Sequence, residues 1–380
     1  MKITDVKLFR TTDVRSPAIF IKIDTDAGIA GYGEGTNHFM PESSLGMLKD
    51  VTPYLIGEDP ERIEYLWQSC FRRRFYRGGP ATGAALSAID MALWDLKGKA
   101  HGVPVYQLLG GLARDRVRIY AAISGRTAQE IADHARRRVA QGFTALRFRA
   151  FHSYDDTDLH DHALAVRQQL EYLEAIRATV GDDIDIILEC HGRYDPEWAL
   201  KLAKQAEKFH PFMMEDPTRH ENPQAMAQLR AHTSLPLAQG ERYHNKWEFR
   251  ELIVGGYANY LRPDICHCGG ITEIKKIAAM AEAYLVNLIP HNNAGALGSA
   301  ASVHAALSIP NIALLEGGGM AGDLQTDVVG PYPKIVDGYA LPPEGPGLGV
   351  TFDEQLAESK PFRTGLQPRL KGLDGSVRDF

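Results

Sequence analysis

Glu189, Glu215 and Glu241 recur 26 residues apart, each closing a short apolar run: IDIILEC, PFMMEDP and LPLAQGE. A strand, a helix and two loops take about that many residues, so the interval places one carboxylate at the tip of each of three consecutive parallel strands. Carboxylates that close repel, and at least one takes up a proton unless a cation neutralises them. Three oxygen donors with no Cys or His among them suit a hard ion, and Mg²⁺ is the expected one. The trio Cys266-His267-Cys268 lacks a second pair at zinc-site spacing, so a soft metal is not expected there.

The elements that must hold these carboxylates can be read on either side of them. From about residue 117 the chain alternates strand and helix, with strands at VRIYAAI, ALRFRAF, IDIILEC, FMMED, LPLAQGE, ANYLRPD, LVNLIPH and IALLEGG. Seven connections show helical periodicity, as in DPEWALKLAKQAEKF, while the eighth strand runs into Gly317-Gly318-Gly319. Right-handed crossovers then close a modified TIM barrel of (β/α)₇β type over residues 116–344. Ahead of it, residues 1–115 read as an α+β capping domain. MKITDVKLFR and AIFIKIDTD alternate like half-buried antiparallel strands, and helices are expected near 42–55, 59–75 and 81–101. Residues 152–168 read as a polar insertion over the barrel mouth. The Gly- and Pro-rich segment 345–380 reads as returning to the cap.

The bulk properties narrow the partners. A net charge of −6 argues against nucleic acid and against an anionic membrane surface. With no apolar run near membrane-spanning length and no signal pattern, a cytoplasmic location is expected. Four cysteines are too few for a disulfide framework. Catalytic groups of such barrels sit at the C-terminal ends of the strands. Here those ends carry Arg147, Arg149, Glu189, His191, Glu215, Glu241, Asp264, His291 and Glu316, none of which a barrel needs for stability.

Taken together, FYRGGPATGAALSAIDMALWDLKGK, HGR at 191–193, MMEDP at 213–217, GERY at 240–243, RPDICHCGGITE at 262–273 and PHNNAGALG at 290–298 resemble the enolase superfamily, mandelate racemase subgroup, over essentially the whole chain. Within that subgroup the pattern is similar to the sugar-acid dehydratases. The resemblance implies Mg²⁺ on Glu189, Glu215 and Glu241, a small-molecule sugar acid as substrate, and a homo-oligomer. Two positions depart from the pattern. Glu189 stands where relatives commonly have Asp, and Arg147-Phe148-Arg149 stands where many carry Lys-x-Lys. Arginine keeps its proton and is a poor base, which counts against a racemase using that strand.

Dehydrating a sugar acid requires removal of the weakly acidic proton beside the carboxylate. His291 is the expected base, and Asp264, one βα unit earlier, is placed to orient its ring. His191, two residues after Glu189, is expected on the same side and would protonate the departing 3-hydroxyl. Glu316 and at least one of Arg147 and Arg149 are expected to bind substrate, a salt bridge within the mouth staying open for one of the two arginines, and His38, on a cap loop, is expected to touch its distal end. The leading expectation is dehydration of a galactonate-like aldonate to a 2-keto-3-deoxy acid. The alternative is an epimerase or cycloisomerase working through the same ene-diolate.

Overall fold

The computed structural model describes residues 1–13, 16–37, 40–149, 159–321, 328–364 and 369–379. Strands β1 (Ile3–Asp13), β2 (Ser16–Thr25) and β3 (Ala30–Glu34) pair antiparallel in that order. Strand alternation sends Ile19, Ile21 and Ile23 to one face, where all three are buried. They pack on helices α1 (Pro41–Val51), α2 (Ile63–Arg72) and α3 (Pro80–His101), together with Leu48, Leu66, Trp67, Ile89 and Leu93. Each such side chain contributes roughly 1.5–3 kcal/mol of burial. Contact between β3 and α3 is so close that a Cβ at Gly33 would stand 1.9 Å from the Ala88 carbonyl oxygen.

A short helix α4 (Val105–Leu108) leads into the barrel. Strands β4 (Val117–Ile123), β5 (Ala145–Phe148), β6 (Asp185–Glu189), β7 (Met213–Glu215), β8 (Leu237–Gln239), β9 (Tyr260–Leu261) and β10 (Asn287–Leu288) pair in parallel in chain order. The eighth, β11 (Leu315–Glu316), pairs with β4. A bridge between Leu288 and Ile312, with the Glu316 N–H donating to the Pro290 carbonyl at 3.3 Å, brings the ring back to β10. Helices α5 (Ala128–Ala140), α6 (His162–Val180), α7 (Pro196–Ala206), α8 (Pro223–Arg230), α9 (Lys246–Val254), α10 (Gly270–Glu282) and α11 (Ala296–Ser308) follow the first seven strands. Among the described residues, β11 is followed by a 3₁₀ turn, Gly318–Ala321, where the earlier barrel strands are followed by a helix, in keeping with the (β/α)₇β form. Tyr120, Ala145, Ile187, Met213, Ala238, Ile289 and Leu314 fill the interior, while a larger cluster lies between the strands and the helices. Among the described residues no helix is long and apolar enough to cross a membrane.

Two expectations change. The polar insertion expected over 152–168 ends by residue 162, where α6 begins. The Asp161 side chain accepts from the Leu164 N–H and caps that helix; residues 150–158 lie outside the described set. The C-terminal segment also divides. Phe352 packs on Phe9, Phe20 and Tyr32 of the cap, and Glu354 pairs with Lys22. The last stretch instead reaches the barrel. The His160 N–H donates to the Lys371 carbonyl, and Arg219 pairs with Asp379.

The cap docks on two barrel helices, α10 and α11, which follow the segments just past β9 and β10 that carry Asp264 and His291. From α3, Asp90 accepts the Thr272 N–H at 3.0 Å, and Trp94 donates to the Thr272 hydroxyl. From β3, the Glu34 carboxylate accepts the N–H groups of Gly295 and Gly298, both at 2.9 Å. An acid at a helix N-terminus satisfies donors that the helix itself leaves open.

Candidate active site

The strand ends deliver a buried set of carboxylates. Glu189 and Glu215 come from β6 and β7, and Asp216 follows immediately; all three are buried. Their carboxylate oxygens lie within 4.8 Å of one another, close enough to share one ion. Glu241, the expected third ligand, lies outside this group. Asp216 enters because its φ is +40°, in the left-handed region. That breaks the alternation which would send consecutive side chains to opposite faces.

Two arginines share the cluster. Arg147 Nη1 stands 3.0 Å from each of three oxygens, on Glu189, Glu215 and Glu316. Arg262 is fully buried; its Nη2 lies 2.7 Å from Glu215 and 2.9 Å from Glu316, and its Nη1 donates to the Tyr120 hydroxyl. Arg147 therefore takes, within the carboxylate cage, the salt-bridged place left open for one of the two strand arginines. Arg262 was legible only as part of the RPD motif, with nothing in its spacing to mark a role.

The donors fit a hard cation. All are carboxylate oxygens, and Glu215 Oε2, Asp216 Oδ2 and Glu241 Oε2 are buried without a hydrogen bond. Burial pushes the Glu215 and Asp216 carboxyls well above the usual carboxylate range, against the pull of Arg262. A buried carboxylate in that condition gains from any added positive charge.

Beside the cage lies the proton-transfer machinery. His291 Nδ1 is 2.5 Å from Asp264 Oδ2, and Asp264 Oδ1 accepts the Cys266 N–H. Glu241 lies between two histidines, with His291 Nε2 at 3.6 Å from one oxygen and His191 Nε2 at 3.8 Å from the other. Their protonation differs. Burial opposes the charge on His291, but Glu316, Glu241 and Asp264 outweigh it and lift the imidazole to about 10. Burial dominates at His191 and pushes it to about 3 despite Glu241. His191 reaches this position from a turn, since β6 ends at Glu189 and His191 has φ +56°. Its N–H donates to Glu189 Oε1 at 2.6 Å.

Both histidines open into a cavity of about 630 Å³, with Arg149, Glu241, Arg242, His220, His244, His267 and Asn293 on the barrel side. Asn37, Met40 and Pro80 line it from the cap. Arg149 thus lies on the cavity wall, while Arg147 does not. Glu316 is engaged by both arginines and also accepts the Asn292 N–H. His38 falls outside the described residues. The wall residues Arg242, His220, His244 and His267 went unassigned in the sequence, although GERY and RPDICHCGG contain two of them.

Comparison with known proteins agrees with this architecture. Residues 130–356 match the family described as enolase C-terminal domain-like. Residues 1–110 match the mandelate racemase / muconate lactonizing enzyme N-terminal domain. A D-galactonate dehydratase of Ralstonia pickettii is 36% identical, covering 99% of this chain and 100% of its own. One of Verminephrobacter eiseniae is 37% identical, covering 100% of both. Among solved structures, an enolase from Pantoea ananatis with bound D-gluconate and Mg superposes with a TM-score of 0.92. It is 30% identical and covers 99% of each chain.

Proposed function

Since the chain belongs to the enolase superfamily, through both its mandelate racemase-type N-terminal part and its enolase-like C-terminal part, we propose that it dehydrates a sugar acid. The substrate class is an aldonate of galactonate type, and the product a 2-keto-3-deoxy acid. The observation that carries this reading is the pair of histidines on opposite oxygens of Glu241, one tied to Asp264, both opening into one cavity. Dehydration needs a base at C2 and an acid at the 3-hydroxyl, and an arrangement of two imidazoles around one point supplies both.

His291 Nε2 takes the C2 proton, with Asp264 holding the opposite ring nitrogen. The negative charge that develops on the substrate carboxylate faces the guanidiniums of the site. His191 must begin charged, against the burial that lowers it to about 3, and it gives that proton to the 3-hydroxyl, which leaves as water while the C2–C3 double bond forms. The resulting enol then tautomerises to the 2-keto acid. His291 must begin neutral, so the proton held on it by Glu316 and Glu241 has to leave first. Mg²⁺, held by Glu189 and Glu215 with Asp216 or Glu241 as third donor, would supply Lewis-acid stabilisation of the carboxylate charge. Arg149 and Arg242 provide fixed charges on the wall for the substrate's oxygens, and in this reading residues 1–115 cap the mouth of barrel 116–344.

The test is a panel of aldonic and aldaric acids followed by detection of 2-keto acids. A galactonate-configured aldonate is expected to yield keto acid. C2 deuterium incorporation without water loss on every acid would instead favour epimerisation, and silence across the panel would sink the reading.

A further inference from the structure

Arg147 Nη1 is one positive group 3.0 Å from oxygens of three carboxylates on three different strands. Two of those residues, Glu189 and Glu215, belong to the group close enough to share an ion. Arg262 adds a second fixed charge on Glu215 Oε1 and on Glu316. Like charges a few ångströms apart in a buried site repel strongly, because little water screens them. Any divalent ion seated on Glu189 and Glu215 must either displace Arg147 or sit beside it.

We infer that Arg147 is a resident counter-cation of the carboxylate cage: it pairs with Glu189 Oε2 and Glu215 Oε1, and through its charge it opposes a divalent ion on the oxygens left open, such as Glu215 Oε2. Glu215 Oε2, Asp216 Oδ2 and Glu241 Oε2 stay open to an ion, which binds weakly while Arg147 holds its place beside them. An anionic substrate in the neighbouring cavity offers the guanidinium another partner, so substrate and ion favour each other's binding by linkage. The inference concerns the same site as the proposed dehydratase but depends on cation affinity alone.

The experiment is direct titration of the purified, chelator-treated protein with Mn²⁺, by calorimetry or by loss of the free-ion spin-resonance signal. Wild type, Arg147→Gln and Arg147→Lys are compared, and thermal midpoints are read with and without Mg²⁺. The Gln variant is expected to bind at least tenfold more tightly than wild type and to gain a larger Mg²⁺-dependent thermal shift, while Lys keeps the charge and stays near wild type. Equal or weaker binding by the Gln variant overturns the inference. If the Gln variant cannot be recovered, wild type decides: micromolar Mn²⁺ affinity overturns the inference, and millimolar affinity strengthened by a sugar acid supports it. None of these readouts depends on turnover, so an inactive protein with tighter Gln-variant binding would refute the dehydratase and leave the inference standing.

Discussion

Glu241 receives one histidine on each carboxylate oxygen, and that arrangement separates the two proton transfers by residue. If His291 is the base, His291→Asn should stop both water loss and exchange of the C2 proton with deuterated solvent. The loss in kcat should be on the order of 10²–10⁴-fold, as for other positioned bases. His191→Asn should keep exchange while losing water, because its proton is needed only at the leaving group. Deuterium exchange by NMR beside a keto-acid assay distinguishes the two. Undiminished exchange in the His291 variant would remove it from the role. Only part of this constellation was legible in the sequence. The 26-residue interval and the His–Asp separation are consequences of βα length, which periodicity exposes. Asp216 was not legible, because its place depends on a backbone turn at φ +40° that alternation does not foresee. Arg262 was not either, since no local rule sends a guanidinium into a carboxylate cluster, while Arg147 was legible as a strand-end residue with substrate contact and a salt bridge both open.

Among the elements, α10 and α11 follow the segments past β9 and β10 that carry Asp264 and His291, and the cap braces both through Asp90 and Glu34. Strand–helix alternation made the helices themselves legible, whereas a contact between Asp90 and Thr272, on separate parts of the chain, leaves no local trace. Asp90 is buried, and desolvation raises its carboxyl from an ordinary 3.8 to about 7, against the Thr272 hydrogen bonds. Between those values the folded protein holds a proton that the unfolded chain releases, so its contribution to stability falls as pH rises from about 4 to about 7 and is level above. Asp90→Asn keeps an acceptor for the Thr272 N–H and removes this titration. Its stability relative to wild type should therefore rise between pH 5 and 8, by on the order of 1 kcal/mol or more. Denaturant melts at the two pH values would show it. A difference that stays constant with pH would mean that Asp90 remains ionised throughout.

At the scale of the whole molecule, the cavity belongs to cap and barrel together, with Asn37, Met40 and Pro80 facing the histidines. What sets the spacing of the two parts is the start of α3. A Cβ on Gly83 would stand 2.1 Å from the His267 carbonyl oxygen, nearer than any real contact, and His267 itself lines the cavity. Trp67 donating to the Gly269 carbonyl at 2.8 Å, and the Gly269 N–H donating to Ser87 at 2.9 Å, hold the same loop from either side. Gly83→Ala must push α3 and that loop apart, since the obstacle is backbone and not a movable side-chain tip. Helix propensity alone would favour Ala by roughly 1 kcal/mol at this interior position. The two effects thus oppose each other in stability but not in function. Displacing the cap lets water into the cavity and misplaces the wall against the sugar's distal end, and a 1 Å error can cost about 10²-fold in rate. The expected result is a thermal midpoint changed little, with kcat/KM on the best aldonate reduced tenfold or more. Kinetics unchanged beside a lowered midpoint would show that the contact serves folding alone.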